Sequence, residues 1–159
     1  MITAVDTNII LDVLIPNEPF SASSKNLLER YLAKGKLVLC EIVLAELASQ
    51  FPSEDGLKQF LLETGMRLDH SNEKSFFLAG RRWLKYIENR SKKLFSCSRC
   101  GHDFKITCPR CREALAGRFH VLADFLIGAH ALEKADCLLS RDLGIYKTYF
   151  SDLRIIGTL

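Results

Sequence analysis

The chain has 159 residues, of which 48% are hydrophobic, and a formal net charge of +3. This length and composition predict a single globular domain over residues 1–159, large enough to bury a core. The net charge is too small to indicate nucleic-acid binding by itself. No apolar run is long enough to span a membrane, and no basic segment opens the chain, so we expect neither a membrane segment nor a signal peptide.

The first half of the chain alternates between apolar runs and helical periodicity. Short apolar runs predict strands at residues 2–5, 37–40 and 66–68. Helical spacing of apolar residues predicts helices at residues 9–14, 21–33, 42–50, 53–63 and 73–89. In the last of these helices we expect an inward face made of Phe76, Phe77, Ala79, Trp83, Leu84 and Ile87.

The second half begins with a segment, residues 91–118, that loses this periodicity and gains Cys, Gly, Lys and Arg. The alternation resumes with a predicted helix at 124–134 and predicted strands at 137–139 and 153–156. Strands separated by helices predict an α/β fold with a central parallel sheet and helices on both faces. Such sheets place their functional sites beyond the carboxyl ends of the strands.

Four acidic residues lie at the end of apolar runs or directly after them, a position where carboxylates are uncommon. They are Asp6, Glu46, Asp124 and Asp142. We expect them to converge on one cleft, where their mutual repulsion requires a counter-charge. Mg²⁺ or Mn²⁺ is the hard, oxygen-seeking cation that supplies it.

Several short stretches resemble the PIN-domain nucleases, and in particular their VapC-type toxin branch. They are VDTNII at residues 5–10, VLAEL at 43–47, ADFLIGAHA at 123–131 and LSRD at 139–142, with AGR at 79–81 and YKTYF at 146–150 in support. The resemblance implies a three-layer α/β/α fold and a divalent-metal-dependent ribonuclease. It also implies a cognate antitoxin and a homodimer as partners.

Within this resemblance the four acids are the expected metal ligands and catalytic residues, with Asp6 and Asp124 foremost. Thr7, Asn8 and Ser140 are expected to hydrogen-bond a metal-bound water or phosphate, or to form turns and caps. Arg81 and Arg141 are expected to contact the RNA backbone, or to belong to a solvated face. Asp12 and Glu41 are expected to be surface acids, and His130 a satisfied core histidine.

The six cysteines separate into two groups. Cys40 and Cys137 lie in apolar runs and are expected in the core, whereas Cys97, Cys100, Cys108 and Cys111 form two CxxC pairs. Four thiolates suit a tetrahedral structural Zn²⁺, so residues 95–114 predict a small zinc-ribbon-like hairpin inserted in the domain. A disulfide or a redox pair is the alternative, which the doubled motif and an expected cytoplasmic location disfavour.

Two other functions stay open at this point. PIN nucleases with appended zinc ribbons act in RNA maturation, and the cysteine insertion departs from the plain toxin pattern. A non-catalytic RNA-binding or scaffold protein could also keep the shape of the domain. The intact set of four acids favours an enzyme, because clustered carboxylates are costly to maintain without a function.

Overall fold

The structure is a computed structural model that describes residues 1–15, 19–89, 95–96, 103–115 and 122–157. The strands are β1 (Ile2–Val5), β2 (Lys36–Leu39), β3 (Met66–Leu68), β4 (Phe95–Ser96), β5 (Asp103–Phe104), β6 (Ile106–Thr107), β7 (Ala114–Leu115), β8 (Cys137–Leu139) and β9 (Ile155–Ile156). The helices are α1 (Thr7–Leu14), α2 (Ser21–Leu32), α3 (Glu41–Ala48), α4 (Glu54–Thr64), α5 (Glu73–Asn89), α6 (Leu122–Lys134) and α7 (Leu143–Tyr149).

Five of these strands form a parallel sheet in the order β3-β2-β1-β8-β9. The first strand is central, because Thr3 lies opposite Leu37 of β2 on one side and opposite Cys137 of β8 on the other. Both flanking strands are apolar and buried, as expected when helices cover both faces of a sheet. The α/β fold with a central parallel sheet is therefore confirmed. Cys40 and Cys137 lie in the core as predicted, 2% and 0% exposed.

The inward face predicted for α5 is wrong for most of its residues. The residues that α5 buries are Ser75, Ala79 and Tyr86, whereas Phe77 is 73% exposed. Phe76, Leu84 and Ile87 are also exposed. The helix carries two apolar stripes, and only the stripe with Ala79 and Tyr86 packs inside the domain, chiefly against α6.

Aromatic side chains fill the space between α5, α6 and the C-terminal part of the chain. Phe125 of α6 contacts the rings of Trp83, Tyr86 and Phe150. Gly128 is required at this contact, because a Cβ there would lie 2.8 Å from Cζ of Phe150. Helix α7, which carries Tyr146 and Tyr149 into this cluster, was not predicted from the sequence.

Two short antiparallel pairs occupy the cysteine segment. Phe95 and Ser96 of β4 pair with Phe104 and Asp103 of β5, and β6 pairs in the same way with β7. In the described residues, no helix combines the length and the apolar character needed to cross a membrane.

Candidate active site

The four predicted acids line one open cleft of about 410 Å³ at the carboxyl edge of the sheet. Asp6 directly follows β1, and Asp142 lies three residues beyond the end of β8. Glu46 lies on α3, the helix that follows β2, and Asp124 lies in the first turn of α6. The cleft is lined by these acids together with Thr7, Asn8, Leu11, Ser49 and Gln50. Acids from separate elements, far apart in sequence, therefore meet in one place.

Asp6 is the most buried of the four acids, with 6% of its surface exposed. Its Oδ2 atom accepts hydrogen bonds from Asn8 Nδ2 at 2.8 Å and from Ser140 Oγ at 2.6 Å. Burial raises the pKa of this carboxyl to about 6, and the nearby charge of Asp124 adds to the rise, against the opposing effect of the hydrogen bonds. Hydrogen bonds thus hold the Asp6 carboxylate in one orientation, while burial and the charge of Asp124 make its ionised form unfavourable.

Tyr146 is a site residue that sequence reasoning missed. Its hydroxyl donates to Oδ2 of Asp6 at 3.3 Å, and its ring is 1% exposed. Burial and the charge of Asp6 raise the pKa of this phenol well above its usual value, so it stays protonated as a donor. Tyr146 could have been found from the sequence as a tyrosine in an apolar segment near the candidate acid Asp142. A tyrosine buried in such a segment needs a hydrogen-bond partner for its hydroxyl, and a nearby acid can supply it.

Thr7 and Glu46 connect the first and third helices across the cleft. The Thr7 hydroxyl donates to Oε2 of Glu46, and Thr7 is buried although Glu46 is exposed. This contact orients the acid of α3 toward the end of β1.

Asp142 has a capping role in addition to its place in the cleft. Its Oδ1 atom accepts from the backbone N–H of Gly144 at 3.1 Å and of Ile145 at 3.4 Å, at the start of α7. Its own N–H donates to Ser140 Oγ at 3.0 Å. Ser140 is fully buried and also accepts from Asn8 Nδ2 at 3.2 Å. Asn8 and Ser140 thus form the frame that holds the acids.

The two arginines predicted to touch RNA lie away from the cleft lining. Arg141 forms an ion pair with Asp12, Nη2 to Oδ1 at 2.8 Å, and its guanidinium lies over the ring of Phe20. The prediction that Asp12 is a surface acid is wrong, because this residue is 1% exposed and pairs with an arginine 129 positions away. Arg81 lies on the exposed side of α5, in a shallow depression with Lys85 and Glu88.

Glu41 and His130 are joined through Ser71 in a second polar group outside the cleft. Glu41 accepts from the N–H and the hydroxyl of Ser71, at 2.8 and 2.9 Å. His130 is 1% exposed, with Nδ1 3.2 Å from Ser71 Oγ, and burial lowers its pKa. The predicted core position of His130 is confirmed. Within the described part of the chain, however, its Nε2 has no hydrogen-bond partner.

The donor chemistry of the cleft fits a hard cation, because every acidic ligand offers oxygen. In the ranges that the structure describes, no three acidic, histidine or cysteine side chains are arranged to hold one ion. Instead, Glu46 accepts a hydrogen bond from Thr7, and Asp142 accepts hydrogen bonds from the start of α7. Mg²⁺ commonly uses one or two carboxylates and keeps several waters, so two acids of this cleft, such as Asp6 and Asp124, would be enough to bind it.

The predicted zinc site lies partly outside the described residues, because Cys97 and Cys100 fall there. Cys108 and Cys111 lie between β6 and β7 and form no disulfide. The Cys108 N–H donates to the Glu113 carbonyl at 2.8 Å, and Arg112 has a positive φ of 59°. Hydrogen bonds from the backbone N–H groups of Cys111 and Arg110 lower the pKa of the Cys108 thiol. This tight turn favours a thiolate.

Comparison with known proteins gives the same architecture. The structure resembles VapBC2 from Rickettsia felis bound to a promoter DNA fragment, with 21% identity, coverage of 99% of this chain and 98% of that one, and a TM-score of 0.62. It resembles VapBC-1 from nontypeable Haemophilus influenzae with 19% identity, coverage of 99% and 98%, and a TM-score of 0.63.

A further similar structure is VapC20 from Mycobacterium tuberculosis, a toxin that cleaves the sarcin-ricin loop, with 14% identity, coverage of 96% and 98%, and a TM-score of 0.54. At these identities the likeness shows a common fold. No curated protein matches the sequence significantly. The family model of the PIN domain, however, matches residues 3–90, which is more than half of the chain. The chain therefore belongs to the PIN domain family.

Proposed function

We propose that this protein is a divalent-metal-dependent endoribonuclease and the toxin of a type II toxin–antitoxin pair. The observation that carries the proposal is the convergence of Asp6, Glu46, Asp124 and Asp142 on one open cleft. Structural neighbours that are VapBC assemblies or a toxin that cleaves the sarcin-ricin loop support it by analogy. The cleft is open, as access of a long polymer such as RNA requires.

Asp6 and Asp124 are the proposed direct ligands of Mg²⁺ or Mn²⁺, with Glu46 and Asp142 as ligands through water. When bound, the metal supplies positive charge to the scissile phosphate and lowers the pKa of an attacking water. Tyr146, Ser140 and Asn8 hold the Asp6 carboxylate in a fixed orientation. An acid of the cleft that is not bound to metal accepts the proton of the attacking water.

The proposal is tested by RNA cleavage with Mn²⁺ and by growth on expression. Asp6→Asn and Asp124→Asn should each abolish Mn²⁺-dependent cleavage while leaving the fold intact, because each removes a charge that holds the metal. Asp55→Asn is the matched control, since Asp55 is an exposed acid on α4 that does not line the cleft. Wild-type cleavage by the Asp6 variant would refute the catalytic assignment.

The toxin role is tested separately, by the effect of the protein on cell growth. Expression of the wild type should arrest growth, Asp6→Asn should not, and co-expression of the adjacent small gene should restore growth. The proposed antitoxin places a basic side chain among the acids, which neutralises them and displaces the metal. If the active enzyme leaves growth unaffected, a nuclease of RNA maturation is the better reading.

The second proposed metal site is structural. It is compatible both with a toxin and with a nuclease of RNA maturation. The CxxC pair at 97–100 lies in sequence between the paired strands β4 and β5. The CxxC pair at 108–111 lies in sequence between the paired strands β6 and β7. We place one Zn²⁺ on Cys97, Cys100, Cys108 and Cys111, which closes all four positions to substrate. The lowered pKa of Cys108 supports a ligand thiolate at one of these positions. The proposed insertion covers residues 95–114 of one PIN domain.

The surface of α5 supports the proposed homodimer. Phe77, Leu84 and Ile87 follow each other at helical spacing along its exposed side, with Phe76 beside them. An apolar stripe of this kind marks an interaction surface. We assign it to a homodimer contact, and the antitoxin to the cleft side of the domain.

A further inference from the structure

The turn between β8 and α7, residues 140–142, contains Ser140 of the cleft frame and the cleft acid Asp142. Ser140 donates to Oδ2 of Asp6 at 2.6 Å, and the backbone N–H of Arg141 donates to Oδ1 of Asn8 at 3.1 Å. Asp142, the last residue of this turn, lines the cleft. The placement of the turn relative to α1 therefore decides where Asp142 lies.

An ion pair outside the cleft lining also joins this turn to α1. Nη2 of Arg141 lies 2.8 Å from Oδ1 of Asp12, and the second carboxylate oxygen of Asp12 accepts from Ser24 Oγ at 2.6 Å. The guanidinium lies over the Phe20 ring, 4.5 Å from its centroid. Asp12 is 1% exposed and the Arg141 side chain 32% exposed, so the carboxylate is buried and the guanidinium is partly exposed.

A partly buried ion pair adds little stability compared with well-packed apolar side chains, because desolvation of the buried carboxylate offsets the attraction. It does impose a defined distance and orientation on the two elements it joins. Here the joined elements are the helix that follows Asp6 and the turn that ends in Asp142. Neither Asp12 nor Arg141 lines the cleft, so the pair acts on the site through these two acids.

We propose that Asp12 and Arg141 are a positioning pair for the nuclease site. The pair holds the 140–142 turn against α1, at the spacing that brings Ser140 onto Asp6 and Asp142 into the cleft. The inference rests on the proposed function and deepens it. It also removes Arg141 from the set of RNA-binding residues, since its guanidinium is engaged by Asp12 and Phe20.

The test replaces both partners at once, so that no buried charge is left unpaired. Asp12→Asn/Arg141→Gln should bind Mn²⁺ about 10- to 100-fold more weakly and lose kcat to a similar extent, the usual effect of groups behind metal ligands. KM for RNA should stay near the wild-type value. Arg141→Lys keeps the charge but not the planar fork, so it should give an intermediate loss. This variant also serves if the double variant does not fold.

The matched control is Arg82→Gln/Asp152→Asn. Arg82 and Asp152 form an ion pair of similar length, 2.7 Å, but neither residue lines the cleft. We expect this control to lower the thermal midpoint and to leave Mn²⁺ affinity and kcat unchanged.

Three outcomes overturn the inference, two of them measured on the variants and one on the wild type. A folded Asp12/Arg141 double variant with wild-type Mn²⁺ affinity and kcat would show a purely structural pair. A raised KM with unchanged metal affinity would show that Arg141 contacts RNA. A wild type that neither binds Mn²⁺ nor cleaves RNA identifies failure of the proposed function, and the inference falls with it.

Discussion

The hydroxyl of Tyr146 donates to Oδ2 of Asp6 across 3.3 Å, which joins helix α7 to the end of the central strand. Tyr146→Phe keeps the ring but removes this hydrogen bond. We expect a loss of about 1 kcal/mol in the free energy of unfolding, and weaker Mn²⁺ binding, because Asp6 loses one of its orienting donors. Tyr149→Phe is the control in the same aromatic cluster. Equal Mn²⁺ affinity in the two variants would contradict the role given to Tyr146.

The raised pKa of Asp6 predicts an unusual pH dependence of stability without metal. The folded state holds the proton of Asp6 up to a pH of about 6, whereas the unfolded chain releases it near 3.8. Asp6 therefore makes the free energy of unfolding rise as the pH falls from 7 to 5. His130, whose pKa is lowered, contributes the opposite slope below pH 6.5.

Because these two slopes oppose each other, the measurement compares the wild type with Asp6→Asn. Urea unfolding in a chelator at pH 5, 6 and 7 should show the variant more stable than the wild type at pH 7. This advantage should shrink toward pH 5. Parallel curves over this range would show that the Asp6 carboxyl titrates normally.

Two glycines in helices predict opposite effects of the same substitution. A Cβ at Gly128 would lie 2.8 Å from the ring of Phe150, whereas a Cβ at Gly80 meets nothing within 4 Å. We expect Gly128→Ala to destabilise the protein by about 1–3 kcal/mol through overpacking. Gly80→Ala should stabilise it by about 0.5–1 kcal/mol, because alanine favours the helix. Denaturant unfolding measures both, and a stable Gly128 variant would refute this packing.

The proposed zinc site predicts a metal content. Purified protein should carry about one Zn²⁺ per chain by elemental analysis, and Cys108→Ser/Cys111→Ser should lose it. Cys40→Ala is the control, because Cys40 is buried in the core and should affect stability without releasing zinc. Full zinc content in the double variant, or a disulfide in ordinary preparations, would refute the assignment.

The exposed stripe of α5 predicts self-association. Phe77→Ser should shift the molar mass measured by light scattering from dimer toward monomer, because Phe77 is the most exposed of its apolar residues, at 73%. Leu62→Ser is the comparison, since Leu62 is 77% exposed on α4 and tests the alternative helix. A dimer that tolerates Phe77→Ser would remove α5 from the interface.

The sequence contained enough to place Asp6 and Asp142 at one edge, because apolar runs separated by helices form parallel strands that share an edge. It did not contain the orientation of α5. That helix has apolar residues on two sides, and tertiary contacts such as those of Trp83 and Tyr86 with Phe125 decide which side is buried. The burial of Asp12 could not be predicted either, because its ion-pair partner Arg141 is distant in sequence. Periodicity reports local spacing, whereas these features depend on tertiary pairing.

The central place of β1 has a consequence for synthesis. Asp6 is translated well before Asp124, Ser140, Asp142 and Tyr146, which lie 118 to 140 residues further along the chain. β1 also lacks its β8 neighbour until residues 137–139 have been translated. A nascent or prematurely terminated chain that ends before residue 122 therefore has only one side of the cleft. On the proposed function, the ribosome that makes this protein is not exposed to a finished nuclease until β8 and α7 have been translated.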